Sequence, residues 1–327
     1  MHVSNHLISP ESAILGGVIA TALIAVAVVK SRKEASPKRL ALAGVLGAFV
    51  FAAQMFNFPI ATIGCSGHLV GGILLAAILG PWLGFLTLSG VLVLQSVLFA
   101  DGGIMALGWN ILNMAALSSL VAYPLIFKPL VRSTTATSRV FVATLLSSIV
   151  ALTLGALGVV VESSTAGISA LPAAEFMGYM IPIHLLFGAI EGIACGAILL
   201  FVARREPALL EAYRTRCQSL RINHKRVFAT FTIAALVIGG LFSLMASSLP
   251  DGLEWSIAKT LGDQMMGLSS GVQMAADNLQ QSIALAPDYA GSYTGLVATA
   301  GILLITWVLT RGGASRKEEQ QRAVAKK

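Results

Sequence analysis

The chain opens "MHVSNHLISP", with histidine in second place. A free α-amine followed by histidine is a chelator. The amine of Met1, the backbone amide nitrogen of His2 and Nδ1 of its ring can wrap one ion in two small planar rings. The amide must lose its proton to bind, and Cu²⁺ and Ni²⁺ compensate for that best, because they accept square-planar or tetragonal nitrogen fields. Histidine is too large to permit removal of the initiator, so Met1 stays in place once deformylated. Three nitrogens leave one corner of the square open. The candidate for that corner is His68 in "NFPIATIGCSGHLVGG", flanked by Gly64, Gly67, Gly71 and Gly72, which let backbone approach closely. A packing or helix-capping histidine fits position 68 equally well.

Further polar residues stand near these. Asn57 could orient the His68 ring, since ligating imidazoles donate their other N–H to a neighbour. Cys65 invites a thiolate reading, but a four-nitrogen site does not need one, and a small buried packing role suits it better. Ser66 and His6 complete the supporting candidates, His6 as a nearby imidazole outside the ligand set. Asp101 falls in a turn where a carboxylate costs little. Asn110 and Asn113 lie on one side of a helix and suit bridging between helices. His184 and Glu191, seven residues apart, share another helical face. A carboxylate midway along an apolar helix is costly unless neutral or paired. An interhelical hydrogen bond to a neutral Glu191 is the first reading of that pair, and a proton relay in a secondary cation transporter is the second.

The elements that must carry these residues are membrane helices. Of 327 residues, 56% are hydrophobic and 11% charged, with a mean hydropathy of +0.82, so the chain reads as an all-α polytopic membrane protein. Apolar runs suggest nine spans: Ser12–Val29, Leu40–Asn57, Leu69–Leu79, Trp82–Phe99, Ile104–Phe127, Val140–Val161, Gly178–Val202, Val227–Ser247 and Gly291–Thr310. The third is too short to cross alone at about 1.5 Å per residue. It must extend through "CSGH" or lie buried in the bundle.

Alternating these spans from an outside N-terminus collects the basic residues in the loops after spans one, five and seven and in the tail. Only Lys259 is left on the other side. That segregation is what the positive-inside rule expects, with the C-terminus cytoplasmic and the chain in the cytoplasmic membrane. It also removes nucleic acid as the reason for the net charge of +7. A cleaved signal peptide is not expected, because positive residues follow the first apolar run instead of preceding it. The cysteines, Cys65, Cys195 and Cys217, form no CxxC pair. No HExxH, GxSxG or P-loop occurs, so an enzyme is not expected, and ATP-driven uptake would need other polypeptides to hydrolyse ATP.

"MH", "NFPIATIGCSGHLVGGILLAAILGPW", "LVLQSVLFADGGIMALGWNILNM" and "IHLLFGAIEG" together resemble the CbiM/NikM family over about residues 1–202. "SLPDGLEW" resembles the PDGLE signature of the NikN-type companion, so the chain looks like a NikMN fusion. The resemblance implies a seven-helix substrate-capture core plus two further transmembrane helices. It divides the chain into a capture domain at 1–203, a basic cytoplasmic linker at 204–226, a two-helix domain with an outer loop at 227–313 and a charged tail at 314–327. It also implies a planar four-nitrogen site from Met1, His2 and His68, with Ni²⁺ or Co²⁺ as transported substrate and no organic cofactor. The implied partners are a transmembrane coupling subunit and paired cytoplasmic ATPases. "VSNHL" after the first two residues departs from the acidic or glycine-containing stretch of many members. Planar nitrogen ligation and the affinity order favour Ni²⁺, with Co²⁺ uptake for cobalamin synthesis as the alternative. Because every ligand must shed a proton, capture should weaken as pH falls.

Overall fold

The computed structural model describes residues 2–32, 36–132, 136–165, 171–214, 216–217, 222–262, 271–289 and 293–306. Seven helices among them are long and apolar enough to cross a membrane: α1 (Pro10–Arg32), α2 (Pro37–Met55), α4 (Pro81–Phe99), α5 (Leu107–Arg132), α6 (Ser138–Thr165), α7 (Ala173–Arg205) and α8, which begins at His224. The protein is an integral membrane protein. Shorter helices are α3 (Gly72–Leu79), α9 (Gly252–Leu261), α10 (Gly271–Ile283) and α11 (Thr294–Thr306). Of the nine expected spans, the third is the eight-residue α3. The ninth is described only as α11, and its expected end at Thr310 lies outside the described residues.

Local chemistry explains where these helices start and how they meet. The Ser36 side chain accepts the Arg39 N–H at the head of α2, and Pro37 takes the first helical position, where a missing donor is harmless. α1 exposes Ile14, Leu15, Val18 and Val29, as a lipid-facing helix should. Where α1 meets α5, a Cβ on Gly16 would fall 2.7 Å from Trp109, and one on Gly108 would strike the Gly16 backbone. α6 and α7 approach in the same way, with Gly188 and Gly192 against the backbone of Ile149 and Leu145. Small residues at crossings are how membrane helices gain close packing where hydrophobic drive is absent.

α3 is the centre of the bundle, and all eight of its residues are buried. It does not extend back through "CSGH". Cys65–Gly67 is a strand, β2, paired antiparallel with β1 (Phe58–Ile60), Phe58 opposite Gly67 and Ile60 opposite Cys65. A short enclosed helix leaves unpaired backbone groups at both ends. Glu191 of α7 takes the N–H groups of Val70 (2.9 Å) and Gly71 (3.1 Å) at one end, and Arg39 donates to the Leu79 carbonyl (2.6 Å) at the other. Each end of α3 thus finds a partner of the required kind, acceptors for its N–H groups and a donor for its last carbonyl.

Part of the expected linker is docked against the bundle. Leu209, Leu210 and Tyr213 are buried, and Glu211 takes the Tyr123 hydroxyl and, at 2.9 Å, the Lys128 ammonium. α8 then packs on α2, with the rings of Phe49 and Phe231 edge to face at 5.3 Å.

Candidate metal site

The segment from His2 to Ile8 is held on the bundle by side-chain amides. Asn110 of α5 accepts the Val3 N–H at 2.8 Å and donates to the Val3 carbonyl at 3.1 Å, and that carbonyl also takes the Gly103 N–H at 2.8 Å. Asn5 donates to Asp277 (2.6 Å) and Gln280 (2.9 Å) and accepts the Met105 N–H (2.8 Å). Val3, Leu7 and Ile8 are fully buried beneath. Securing both backbone groups of Val3 fixes the direction in which the chain leaves it toward His2.

That direction puts His2 on His68. Their rings stack with centroids 5.2 Å apart and planes 12° from parallel. His2 Nδ1 stands 2.9 Å from Asp101 Oδ1, while its Nε2 is buried with no partner among the described residues. Asp101 Oδ2 takes the Tyr289 hydroxyl at 2.6 Å. Burial pushes the Asp101 carboxyl upward, but His2 and the bonds from His2 and Tyr289 outweigh it and hold the group well below the usual range. His68 Nδ1–H donates to the Leu69 carbonyl at 3.1 Å, which leaves Nε2 as the lone-pair nitrogen. Burial pulls the His68 pKa down to about 3, so the imidazole is neutral, the form that binds metals.

His68 follows the β1–β2 hairpin, and the PDGLE segment docks on that hairpin. Ser66 donates its N–H to the Pro250 carbonyl (2.7 Å) and its hydroxyl to the Leu249 carbonyl (2.6 Å). The Trp255 indole N–H reaches the Ile63 carbonyl (3.0 Å), and the Ser247 N–H reaches that of Asn57 (2.8 Å). The signature residues shape the start of α9: Asp251 accepts the N–H groups of Leu253 and Glu254, each at 2.8 Å, and Glu254 accepts the Asp251 N–H at 3.0 Å. A Cβ on Gly252 would lie 2.5 Å from the Phe187 ring, whose other side leaves no room for a Cβ on Gly67.

These parts surround a cavity of about 370 Å³ whose lining includes His2, His68, Asp101, Asp251, Glu254 and Asp277 and no Lys or Arg. Such a lining raises the local concentration of cations. Met1 lies outside the described residues. Among those residues, no cluster of three or more His, Cys, Asp or Glu side chains is arranged to hold a metal.

The supporting candidates are spread more widely. Cys65 is fully buried and does not line the cavity, and Ser66 anchors the PDGLE segment. His6 is half-exposed, with Nε2 3.1 Å from Asp277. Asn57 lines the cavity but does not orient the His68 ring, whose Nδ1 is on Leu69; its own side-chain oxygen is buried without a partner among the described residues. His184 Nδ1 donates within its own helix to the Met180 carbonyl (2.8 Å), and Glu191 caps α3. Asn113 bridges to both oxygens of Glu162 at 3.0 Å. Asp101, Asn5, Asn110 and Gln280 gain roles at the site that their local sequence did not announce.

Residues 2–209 match the family described as the cobalt uptake substrate-specific transmembrane region (CbiM), and residues 225–312 match the PDGLE domain. A putative metal transport protein of Haloquadratum walsbyi is 34% identical, over 64% of this chain and 93% of its own length. The fused nickel transport protein NikMN of Rhodobacter capsulatus is 28% identical over 83% of this chain and 81% of its own. A solved structure described as a transition metal transporter aligns with a TM-score of 0.53 at 26% identity, covering 70% of this chain and 99% of its own. The chain belongs to the CbiM/NikM family of metal transport components and carries a PDGLE domain fused behind it.

Proposed function

We propose that the protein captures a divalent transition metal, Ni²⁺ before Co²⁺, on the outer face of the cytoplasmic membrane and imports it as the substrate-specific component of an ATP-driven energy-coupling factor transporter. The observation that carries this reading is the stacking of His2 on His68 in an acid-lined cavity. The ligands are the Met1 amine, the His2 amide and imidazole, and His68. A chelate that begins at the amine uses Nδ1 of His2, the atom that Asp101 holds. Capture therefore exchanges the carboxylate for the ion, and Asp101 stays beside the cation as a counter-charge.

Family membership supports the substrate class, and the nickel named in the Rhodobacter relative agrees with the preference of planar nitrogen ligands. Cobalt uptake for cobalamin synthesis would use the same groups. The capture unit is residues 1–203, joined by 204–226 to a PDGLE unit at 227–313 that loads or closes the cavity, with a cytoplasmic tail at 314–327. A membrane coupling subunit and two cytoplasmic ATPases supply the energy, since this chain has no P-loop of its own.

The test is two alanines placed ahead of Met1, which move the free amine beyond the reach at which it and the residue-2 imidazole close one planar chelate. Nickel and cobalt uptake are measured against His68→Ala at equal expression. Loss of uptake in both variants is expected. Undiminished uptake in the extended protein overturns the terminal chelate.

A further inference from the structure

α10 is mounted with its polar side inward. Val272, Leu279 and Ile283 are exposed, whereas Gln273 and Gln280, two helical turns apart, are buried. Burial of apolar surface therefore does not hold this helix against the bundle; amide hydrogen bonds do. Gln273 donates to the Ile8 carbonyl at 2.9 Å. Gln280 does more. Its oxygen accepts from Asn5 (2.9 Å) and from the Ile104 N–H (3.1 Å), and its nitrogen donates to the carbonyls of Gly102 (2.8 Å) and Ser96 (2.9 Å). One side chain thus ties the segment that carries His2 to the loop that carries Asp101. Asn5 lies three residues from His2, and Gly102 one residue from Asp101.

We propose that Gln280 is a positioning residue for metal capture. Through it the PDGLE unit sets the distance between the His2 ligand and the Asp101 counter-charge, so that the capture unit's site is completed by a side chain from the other end of the chain. The inference rests on the capture reading above. A buried amide cut away leaves Asn5, Ile104 N–H and two carbonyls with fewer partners, and the His2 and Asp101 segments then rely on their direct bonds, Gly103 N–H to the Val3 carbonyl and Met105 N–H to Asn5.

The experiment measures the apparent Kd for Ni²⁺, by competition with a chelator, on purified full-length protein and on its Gln280→Leu and His68→Ala variants. Melting of the metal-free protein and the visible spectrum of bound nickel are recorded alongside. Gln280→Leu is expected to weaken binding at least about tenfold in the folded protein and to alter the planar-nitrogen spectrum, while His68→Ala abolishes both. If the leucine variant does not accumulate, Asn5→Ala removes the Asn5–Gln280 bond from the other side and is held to the same standard. A lowered melting temperature with unchanged affinity and spectrum makes Gln280 merely structural and overturns the proposal. Unchanged binding in His68→Ala instead overturns the capture reading beneath it.

Discussion

Asp101 and His2 form a carboxylate–imidazole pair, Oδ1 to Nδ1 at 2.9 Å, although a whole series of membrane helices separates them in the chain. The Tyr289 hydroxyl holds the other oxygen of the same carboxylate. On capture Asp101 releases Nδ1 and stands beside the bound cation as its counter-charge, so Asp101→Asn, which keeps the shape and removes the charge, is expected to weaken Ni²⁺ binding by about tenfold, the worth of roughly 1.4 kcal/mol of charge pairing. Tyr289→Phe leaves the charge in place and should cost less. Calorimetric titration of the purified proteins checks both, and wild-type affinity in Asp101→Asn removes the carboxylate from the site.

Asn110 secures both backbone groups of Val3. Asn110→Ala should destabilise the protein by about 1–3 kcal/mol, the cost of leaving a buried donor unsatisfied. It should also lower nickel uptake per folded molecule, because residue 2 is no longer aimed. Thermal melting and uptake, measured on the same preparation, separate the two effects.

Phe187 separates Gly67, the residue before His68, from Gly252 of the PDGLE segment. Gly252→Ala should therefore cost about 1–3 kcal/mol through overpacking. Shortening the ring as well, in Gly252→Ala with Phe187→Leu, should recover part of that loss. The recovery is read from melting temperatures in a double-mutant cycle, and strictly additive losses would show that the two residues do not press on each other.

Glu191 offers the outcome that separates two readings of the chain. As a cap on Val70 and Gly71, its change to glutamine should lower stability and yield, because the amide turns a donor toward a backbone N–H. Uptake per folded molecule should persist. A stable Glu191→Gln protein that has lost uptake, together with survival of uptake in the N-terminally extended chain, would transfer the function to proton-coupled exchange.

The sequence revealed the membrane class and the PDGLE fusion, and seven of the nine spans read from it are helices long enough to cross, because apolar length and compact motifs are local properties. The sequence reading set His68 beside His2, since a terminal amine next to histidine leaves one coordination corner open, and the two rings do stack. Asp101 was not. Its "FADGG" surroundings identify a turn, with positive φ at Ala100 and Gly102, but nothing there names the histidine it meets. Asn5 and Gln280 were hidden for a related reason: amides leave no periodic signature, and their partners lie 275 residues apart. The short third apolar run was ambiguous by length alone, and the pairing of Cys65–Gly67 as a strand settles it as enclosed.

The enclosure of α3 bears on how the protein is made. A helix of eight residues with an acidic cap from one neighbour and a basic cap from another cannot settle in lipid on its own. It is joined to α4 through Gly80 alone, and Gly84 lies against the Ala76 backbone. The two must therefore leave the translocon as one hairpin, and α3 reaches its final depth only after α7, the seventh apolar run to be synthesised, arrives with Glu191.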